Sequence, residues 1–221
     1  MKTTLVAACA LFTAAAAVFA QPLQVGNFDH IAFWSGSGSL RAALVLDFGG
    51  SAAPSSLAWG YRWDGAAEVE DMLFALAGVI NGGPQPVAGA DARLSVSVGF
   101  FEGLGYNVTN LAYDADGLGE GWSEGSRVIT DEYSVDGTYP SLYSLAGNGS
   151  WTGADWIYSE TAGISSLALS DGGWFGFTQS NGTSTPAFSQ PAAAPVPEPA
   201  VWIWGVMAIV LSALFRKCRR A

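Results

Sequence analysis

Cysteine, lysine and histidine are almost missing from this 221-residue chain. Its two cysteines, Cys9 and Cys218, both lie in the terminal segments, so the long middle can form no disulfide, no thiolate metal site and no cysteine nucleophile. His30 is the one histidine. A histidine-rich metal site is therefore excluded, and an acid–base role for His30 would need a partner that the sequence does not identify.

Positive charge is also scarce in the middle of the chain. Between residues 21 and 199 four arginines stand against all 19 acidic residues, which gives this stretch a formal charge of −15. Recognition of a phosphate backbone needs clustered cations. We therefore expect no nucleic-acid partner.

Residues 1–20 have the composition of a secretory signal peptide. Lys2 supplies the positive start, residues 5–19 are apolar, and Val18 and Ala20 place small side chains three residues and one residue before a cleavage between Ala20 and Gln21. The apolar run is short and alanine-rich, which disfavours the alternative of a retained membrane anchor. We expect export, with signal peptidase as a partner.

The C-terminus has a three-part pattern. Val196, Pro197, Glu198 and Pro199 lead into an apolar segment at residues 200–215. The chain then closes with the basic residues Arg216, Lys217, Arg219 and Arg220. A helix over residues 200–215 is about 24 Å long at 1.5 Å per residue, close to one bilayer crossing, and its basic end belongs in the cytoplasm. We predict a single transmembrane helix at 200–215.

This order of motif, apolar segment and basic end resembles the PEP-CTERM sorting signal of exported Gram-negative bacterial proteins. The resemblance covers about the last 26 residues. It implies processing near Pro197–Pro199 by an exosortase-like enzyme, often in bacteria that make extracellular polysaccharide. The expected localisation is a precursor anchored in the inner membrane, followed by the cell surface or the medium. The alternative is a single-span envelope protein whose anchor is never removed.

The composition of the middle of the chain predicts one extracytoplasmic domain at residues 21–177. Residues 178–195 are predicted to be a Pro/Ala/Ser linker, because they contain too few large apolar residues to fold. Residues 66–80 predict a helix, because acidic residues crowd the first turn and apolar residues recur at steps of three and four. One principal helix among several strands predicts an α+β fold with a Gly- and Trp-rich, antiparallel or mixed sheet. Strands are predicted at 41–48, 56–63, 94–101, 106–113, 154–158, 166–169 and 174–177.

Two blocks of this domain carry a second resemblance. Residues 33–73, with Trp59-Gly60-Tyr61-Arg62-Trp63, and residues 156–177, with Asp171-Gly172-Gly173-Trp174, resemble an uncharacterised family of exported bacterial surface proteins. That family implies no activity and no catalytic residue. The order of hairpin, helix and later strands is more loosely similar to β-grasp domains related to the C-terminal part of transcobalamin, a likeness of fold that does not give function.

Three patterns in the sequence are candidates for a catalytic or metal-binding site. Gly121-Trp122-Ser123-Glu124-Gly125 has the spacing of a nucleophile elbow, but no strand leads in and no histidine follows, so we predict no catalytic residue there. Asp114, Asp116 and Glu120 lie in a glycine-rich loop that would suit Ca²⁺, but the EF-hand spacing fails and a solvated acidic turn is the favoured interpretation. No pair of carboxylates identifies itself as that of a glycan hydrolase.

Aromatic residues are abundant, and their rings either fill a core or stack on sugars. Trp59, Tyr61 and Trp63 alternate along one predicted strand and share one face, which favours the core. The function that we expect is a non-enzymatic surface or matrix protein that binds a ligand such as extracellular polysaccharide. An extracellular glycan hydrolase is the alternative, and two carboxylates roughly 5–10 Å apart in an aromatic cleft would support it.

Overall fold

The computed structural model describes residues 23–49, 54–84, 88–115, 126–130, 138–180 and 188–196. Within them, a short 3-10 helix at Phe28–His30 precedes the first strand, and one α-helix, α1 (Val69–Leu76), lies between the third and fourth strands. The strands are β1 (Trp34–Gly36), β2 (Leu40–Asp47), β3 (Ser56–Trp63), β4 (Ala77–Ile80), β5 (Gly83–Pro84), β6 (Asp91–Phe101), β7 (Gly105–Asp114), β8 (Ser126–Thr130), β9 (Tyr139–Leu145), β10 (Ile157–Tyr158), β11 (Trp174–Ser180) and β12 (Ala192–Ala193).

The strands form two mixed sheets. The seven-stranded sheet has the order β1-β3-β2-β11-β9-β10, and β12 also pairs with β3. Its hairpin of β2 and β3 places Asp47 opposite Ser56, and β11 runs parallel to β2 but antiparallel to β9. The five-stranded sheet has the order β5-β4-β6-β7-β8, in which only β4 and β6 pair in parallel.

One face of the seven-stranded sheet, the first face, packs against the five-stranded sheet and α1. Leu44 and Leu46 of β2 point to this side because alternate residues of a strand share a face. Trp59 and Trp63 also lie here, with Tyr61 packed against the same cluster, so their predicted core role is confirmed. The opposing sheet and helix contribute Leu94, Val96, Leu111, Ile129, Met72, Leu73 and Leu76.

The second face of the same sheet is also buried, although none of the described strands forms a sheet over it. Its strands contribute Ala43 and Val45, and chain segments outside the sheet lay Phe28, Trp156 and Phe188 over them. The rings of Trp156 and Phe188 stack with their centroids 4.1 Å apart. Burial on both faces explains why every residue of β2 from Ala42 to Asp47 is buried, since only a strand covered on both sides loses its polar alternation.

The predicted α+β class is wrong, and so is the predicted β-grasp-like arrangement, which belongs to that class. The described residues are 51% strand and 8% helical, and two packed sheets build the fold. The predicted helix at 66–80 ends at Leu76, because Ala77 already has an extended backbone (φ −78°, ψ 128°) and 77–80 pair with β6. Its predicted apolar face of Val69, Met72, Leu73 and Leu76 is buried as expected.

The chain after residue 177 does not behave as the predicted linker where the structure describes it. β11 continues to Ser180, and Phe188 is buried in the second-face cluster. Ala192 pairs with Leu57 of β3, and the Ala194 N–H donates to the Ala58 carbonyl at 2.9 Å. Alanine side chains are small enough for this segment to lie closely against the sheet, so a composition typical of a linker here forms part of the domain.

The predicted transmembrane helix is also corrected. In the part of the chain that the structure describes, neither helix has the length and apolar character needed to cross a membrane. The segment 200–215, to which we assigned that helix, lies outside the described residues. So do Ala20 and Gln21 at the predicted leader cleavage, Pro197, Glu198 and Pro199 of the sorting motif, and the basic residues Arg216, Lys217, Arg219 and Arg220.

Candidate ligand-binding site

An open cavity of about 370 Å³ lies beside β9, within the size range of small-molecule sites. Three segments wall it: the tip of the β6–β7 hairpin, the start of β9, and β10 with the chain that follows it. The lining residues are Phe101, Leu104, Asn107, Val108, Tyr139, Pro140, Ser141, Leu142, Tyr158, Ser159, Glu160 and Ala162.

Backbone hydrogen bonds fix the hairpin wall to the segment after β10. The Gly163 N–H donates to the Leu104 carbonyl at 3.0 Å, and the Ile164 N–H donates to the Tyr106 carbonyl at 2.8 Å. The Tyr106 N–H in turn donates to Ser165 Oγ at 3.0 Å. A side chain at Gly163 would overlap the Leu104 and Tyr106 carbonyl oxygens, so glycine permits the close approach. These hydrogen bonds therefore fix two walls of the cavity relative to each other.

Two tyrosines meet at the cavity. The hydroxyl oxygens of Tyr139 and Tyr158 lie 2.9 Å apart in a hydrogen bond, and the Tyr158 ring packs on Tyr143 with centroids 5.3 Å apart. Burial raises the pKa of the Tyr158 phenol, and the hydrogen bond with Tyr139 and the charge of Glu160 raise it further. Tyr158 consequently stays a neutral hydrogen-bonding group at physiological pH.

A chain of hydroxyl groups holds β9 at the back of the cavity. The Tyr143 and Ser180 hydroxyl oxygens are 2.7 Å apart, and Ser180 Oγ donates to Ser141 Oγ at 3.1 Å. All three side chains are buried, and Ser141 also lines the cavity. Buried polar groups that satisfy one another fix a single arrangement of the strand that carries them.

The remaining polar groups of the lining are an amide, a hydroxyl and a carboxylate. Ser159 is held in place, because its N–H donates to the Leu142 carbonyl at 2.9 Å and its Oγ donates to the Ala162 carbonyl at 2.7 Å. Asn107 comes from β7, and Glu160 follows Ser159. Among the described lining residues Glu160 carries the only formal charge.

Exposed apolar side chains concentrate around this cavity. Eight large apolar residues are substantially exposed in the described ranges, and six of them belong to the three segments that wall the cavity. These six are Phe100 (69% exposed), Phe101, Leu104, Tyr106, Tyr139 and Ile157 (66%). Phe100 and Tyr106 contact each other edge to face at 5.5 Å. Of the six, Phe101, Leu104 and Tyr139 line the cavity itself, and exposed apolar residues grouped in this way are typical of a binding site.

The residues that the sequence suggested as a site lie elsewhere. Asp114 ends β7, the strand whose other end lines the cavity. Asp116 and Glu120 lie outside the described residues, as does Ser123 of the elbow pattern, so Ca²⁺ binding stays a prediction. Over the ranges that are described, no three His, Cys, Asp or Glu side chains group in a way that could hold a metal ion.

The paired carboxylates that would favour a glycan hydrolase are not found in the cavity. Its described lining contains the Glu160 carboxylate and no second one. A hydrolase of the common type needs one group to protonate the leaving oxygen and another to attack or activate water. The described walls of the cavity thus provide groups that can bind a ligand, but they do not provide the two carboxyl groups of such a hydrolase.

The sequence analysis did not single out Phe101, Tyr139 and Tyr158, because the rings considered for sugar stacking were the tryptophans of the domain together with Tyr61. Most of those tryptophans, including Trp59, Trp156 and Trp174, are buried. The available signal was the run of residues 100–106, in which aromatic side chains flank a glycine-containing turn. Aromatic rings beside a turn have no neighbouring strand to cover them, so they are expected to be exposed to solvent.

Comparison with known proteins found no match: neither a protein-family model, nor a curated protein, nor a solved structure matches the chain. The chemistry of the cavity is therefore the basis on which a function can be inferred. A fold alone would not supply one, since one architecture serves many unrelated functions.

Proposed function

We propose that this protein is an exported surface or extracellular-matrix protein that binds a carbohydrate in the cavity beside β9, without acting as an enzyme. The observation that carries this proposal is the set of three aromatic rings, Phe101, Tyr139 and Tyr158, on one open cavity.

The cavity combines the two kinds of surface that a sugar needs. A pyranose ring has apolar C–H faces, which pack on aromatic rings, and hydroxyl groups around its edge, which need hydrogen-bond partners. Phe101, Tyr139 and Tyr158 supply aromatic surface. The amide of Asn107 and the hydroxyl groups of the tyrosines supply donors and acceptors beside them. These two kinds of surface are sufficient to bind a sugar, and catalytic groups are not required for binding alone.

Export is supported by the chain ends rather than by the cavity. Residues 1–20 have the pattern of a leader that signal peptidase removes after Ala20. The sequence from Val196 onward resembles an exosortase sorting signal, with a Pro-Glu-Pro motif, an apolar stretch and a basic end. An exosortase-like enzyme is therefore the proposed processing partner, and the cell surface or the medium is the proposed destination.

Carbohydrate binding can be tested with the full-length chain and a panel of soluble oligosaccharides in isothermal titration calorimetry. We expect Tyr139→Ala and Phe101→Ala to weaken binding about tenfold or more, because each removes a ring from the cavity. Leu23→Ala is the matched control, since Leu23 is an exposed apolar residue that does not line the cavity. Absence of binding to every oligosaccharide, or equal weakening by all three substitutions, would overturn the proposal.

Sorting can be tested by intact mass of the protein from the medium and envelope fractions of its host. We expect a species that starts at Gln21 and ends close to residues 196–199. A mature species that retains Arg216 and the residues after it would contradict exosortase processing, and one that retains residues 1–20 would contradict the leader.

A further inference from the structure

The cavity carries a charge pattern that bears on its ligand. Glu160 contributes a carboxylate to the lining, and Glu102 lies in the hairpin turn between the lining residues Phe101 and Leu104. No lysine or arginine is among the described lining residues. Because residues 21–199 carry a formal charge of −15, the surrounding field also attracts cations and repels anions.

The Glu160 carboxylate is available to a ligand. In the described part of the chain the one ion pair is that of Asp91 with Arg93, so no salt bridge neutralises Glu160 there. Glu160 follows Tyr158 by two residues and both line the cavity, and its charge contributes to the raised pKa of the Tyr158 phenol. The carboxylate and the tyrosine rings therefore belong to one site.

Aromatic rings and a carboxylate together form a receptor for an ammonium group. A cation is attracted to the face of an aromatic ring, and an ammonium donates charge-assisted hydrogen bonds to a carboxylate. Tyr139, Tyr158 and Phe101 offer the rings, and Glu160 offers the carboxylate. A uronic acid or a phosphorylated sugar would instead place its negative charge beside Glu160 without a compensating cation.

From this arrangement we infer that the cavity selects an amino sugar, a carbohydrate whose amine is protonated, over neutral and acidic sugars. The inference rests on the proposed carbohydrate binding and names the class of sugar. The ammonium lies against the tyrosine pair with Glu160 as its counter-ion, and the sugar ring packs on the remaining aromatic surface.

The experiment compares three oligosaccharides of equal length with the full-length chain in calorimetry at mildly acidic pH: glucosamine, its N-acetylated form and a uronic acid. Acetylation removes the charge and keeps the ring, so it isolates the ammonium. We expect the glucosamine oligomer to bind about tenfold more tightly than the acetylated one, and the uronic acid to bind least.

Glu160→Gln is the decisive variant, because it removes the charge and keeps the size of the side chain. We expect it to abolish the preference for the amine, so that the glucosamine and acetylated oligomers bind the variant with similar affinity. Asp29→Asn removes one charge from an exposed residue outside the cavity and should leave the preference intact. An equal loss in both variants would mean that net charge alone attracts the ligand, which would overturn the inference.

The outcomes separate the inference from the function on which it rests. If the acetylated and free amine oligomers bind equally, Glu160→Gln changes nothing and Tyr139→Ala still abolishes binding, carbohydrate binding stands and the amine preference is wrong. If none of the three oligosaccharides binds, both fail.

Discussion

The two faces of the seven-stranded sheet are buried in different ways. On the first face, large side chains such as Leu44 and Trp59 interlock with those of a second sheet and a helix. On the second face, small residues of β2, β3 and β11 lie beneath aromatic rings: Gly60 lies under Trp34 of β1, and an added Cβ at Gly176 would be 2.6 Å from the ring of Phe188, which comes from outside the strands. A sheet can thus be covered on both sides when one face is flat enough for aromatic rings.

The polar groups differ between the faces as well. The Trp59 indole N–H donates to Asp91 at 3.0 Å, and the buried Asp91 carboxylate also pairs with Arg93. On the second face the indole N–H groups of Trp156 and Trp174 are buried, and among the described groups neither finds an acceptor. A hydrogen bond to a buried carboxylate therefore holds the first-face tryptophan Trp59, whereas Trp156 and Trp174 are held by the fit of their rings.

Replacing one tryptophan on each face tests this contrast most strongly. Trp59→Phe removes ring volume and leaves the buried Asp91 carboxylate without its indole donor, for an expected loss of about 2–4 kcal/mol in the free energy of unfolding. Trp174→Phe removes the same atoms but no hydrogen bond, and we expect about 1–2 kcal/mol. Urea unfolding of both variants measures the difference. Equal losses would show that the hydrogen bond to Asp91 adds nothing.

A smaller effect is expected from adding one methyl group to the second face. In Gly60→Ala the new Cβ would overlap the Trp34 ring, so the ring must move, at an expected cost of about 1–3 kcal/mol in unfolding free energy. In a Trp34→Ala background the same substitution should cost almost nothing, because the obstructing ring is gone. A cost that is unchanged in that background would place the strain elsewhere.

The smallest effect concerns Tyr158, which packs at the rim of the second face, and it depends on pH. Since the folded state raises the Tyr158 pKa, its contribution to stability is full below about pH 10, where the unfolded phenol begins to ionise, and falls as the pH rises toward the folded pKa. Urea unfolding between pH 9 and about 11 should therefore show a shallower decline for Tyr158→Phe than for the unmodified protein. Parallel declines would contradict the raised pKa.

Local patterns in the sequence predicted part of the fold correctly. The bounds of β3 agree with the predicted strand at 56–63, and β2 and β3 pair as the predicted hairpin. The acidic first turn of α1 and its buried face were also predicted, with the Glu68 N–H donating to Asp71 Oδ2 at 2.9 Å. These features depend on neighbours within a few residues, so the sequence displays them directly.

Features that depend on distant partners were missed. β9 contains Pro140, a residue typical of strand ends, and its pairing with β11 overrides that preference. The run at 166–169 has strand-like composition but forms a turn with a single bridge at Ala168. The cavity joins segments whose contacts, such as Gly163 with Leu104, are far apart in the chain, and no local pattern encodes such a meeting.

The C-terminal segment has a mechanical consequence. Residues Ala192–Ala193 run parallel to β3, while Asp47 Oδ2 accepts the Ser189 N–H at 2.8 Å and the Arg93 guanidinium donates to the Pro195 carbonyl. A pull applied beyond Val196 would load these hydrogen bonds in shear, together and along the strand, rather than one at a time. Tension on the chain after Val196 would thus pass directly into the seven-stranded sheet, because the last described residues are already bonded to it.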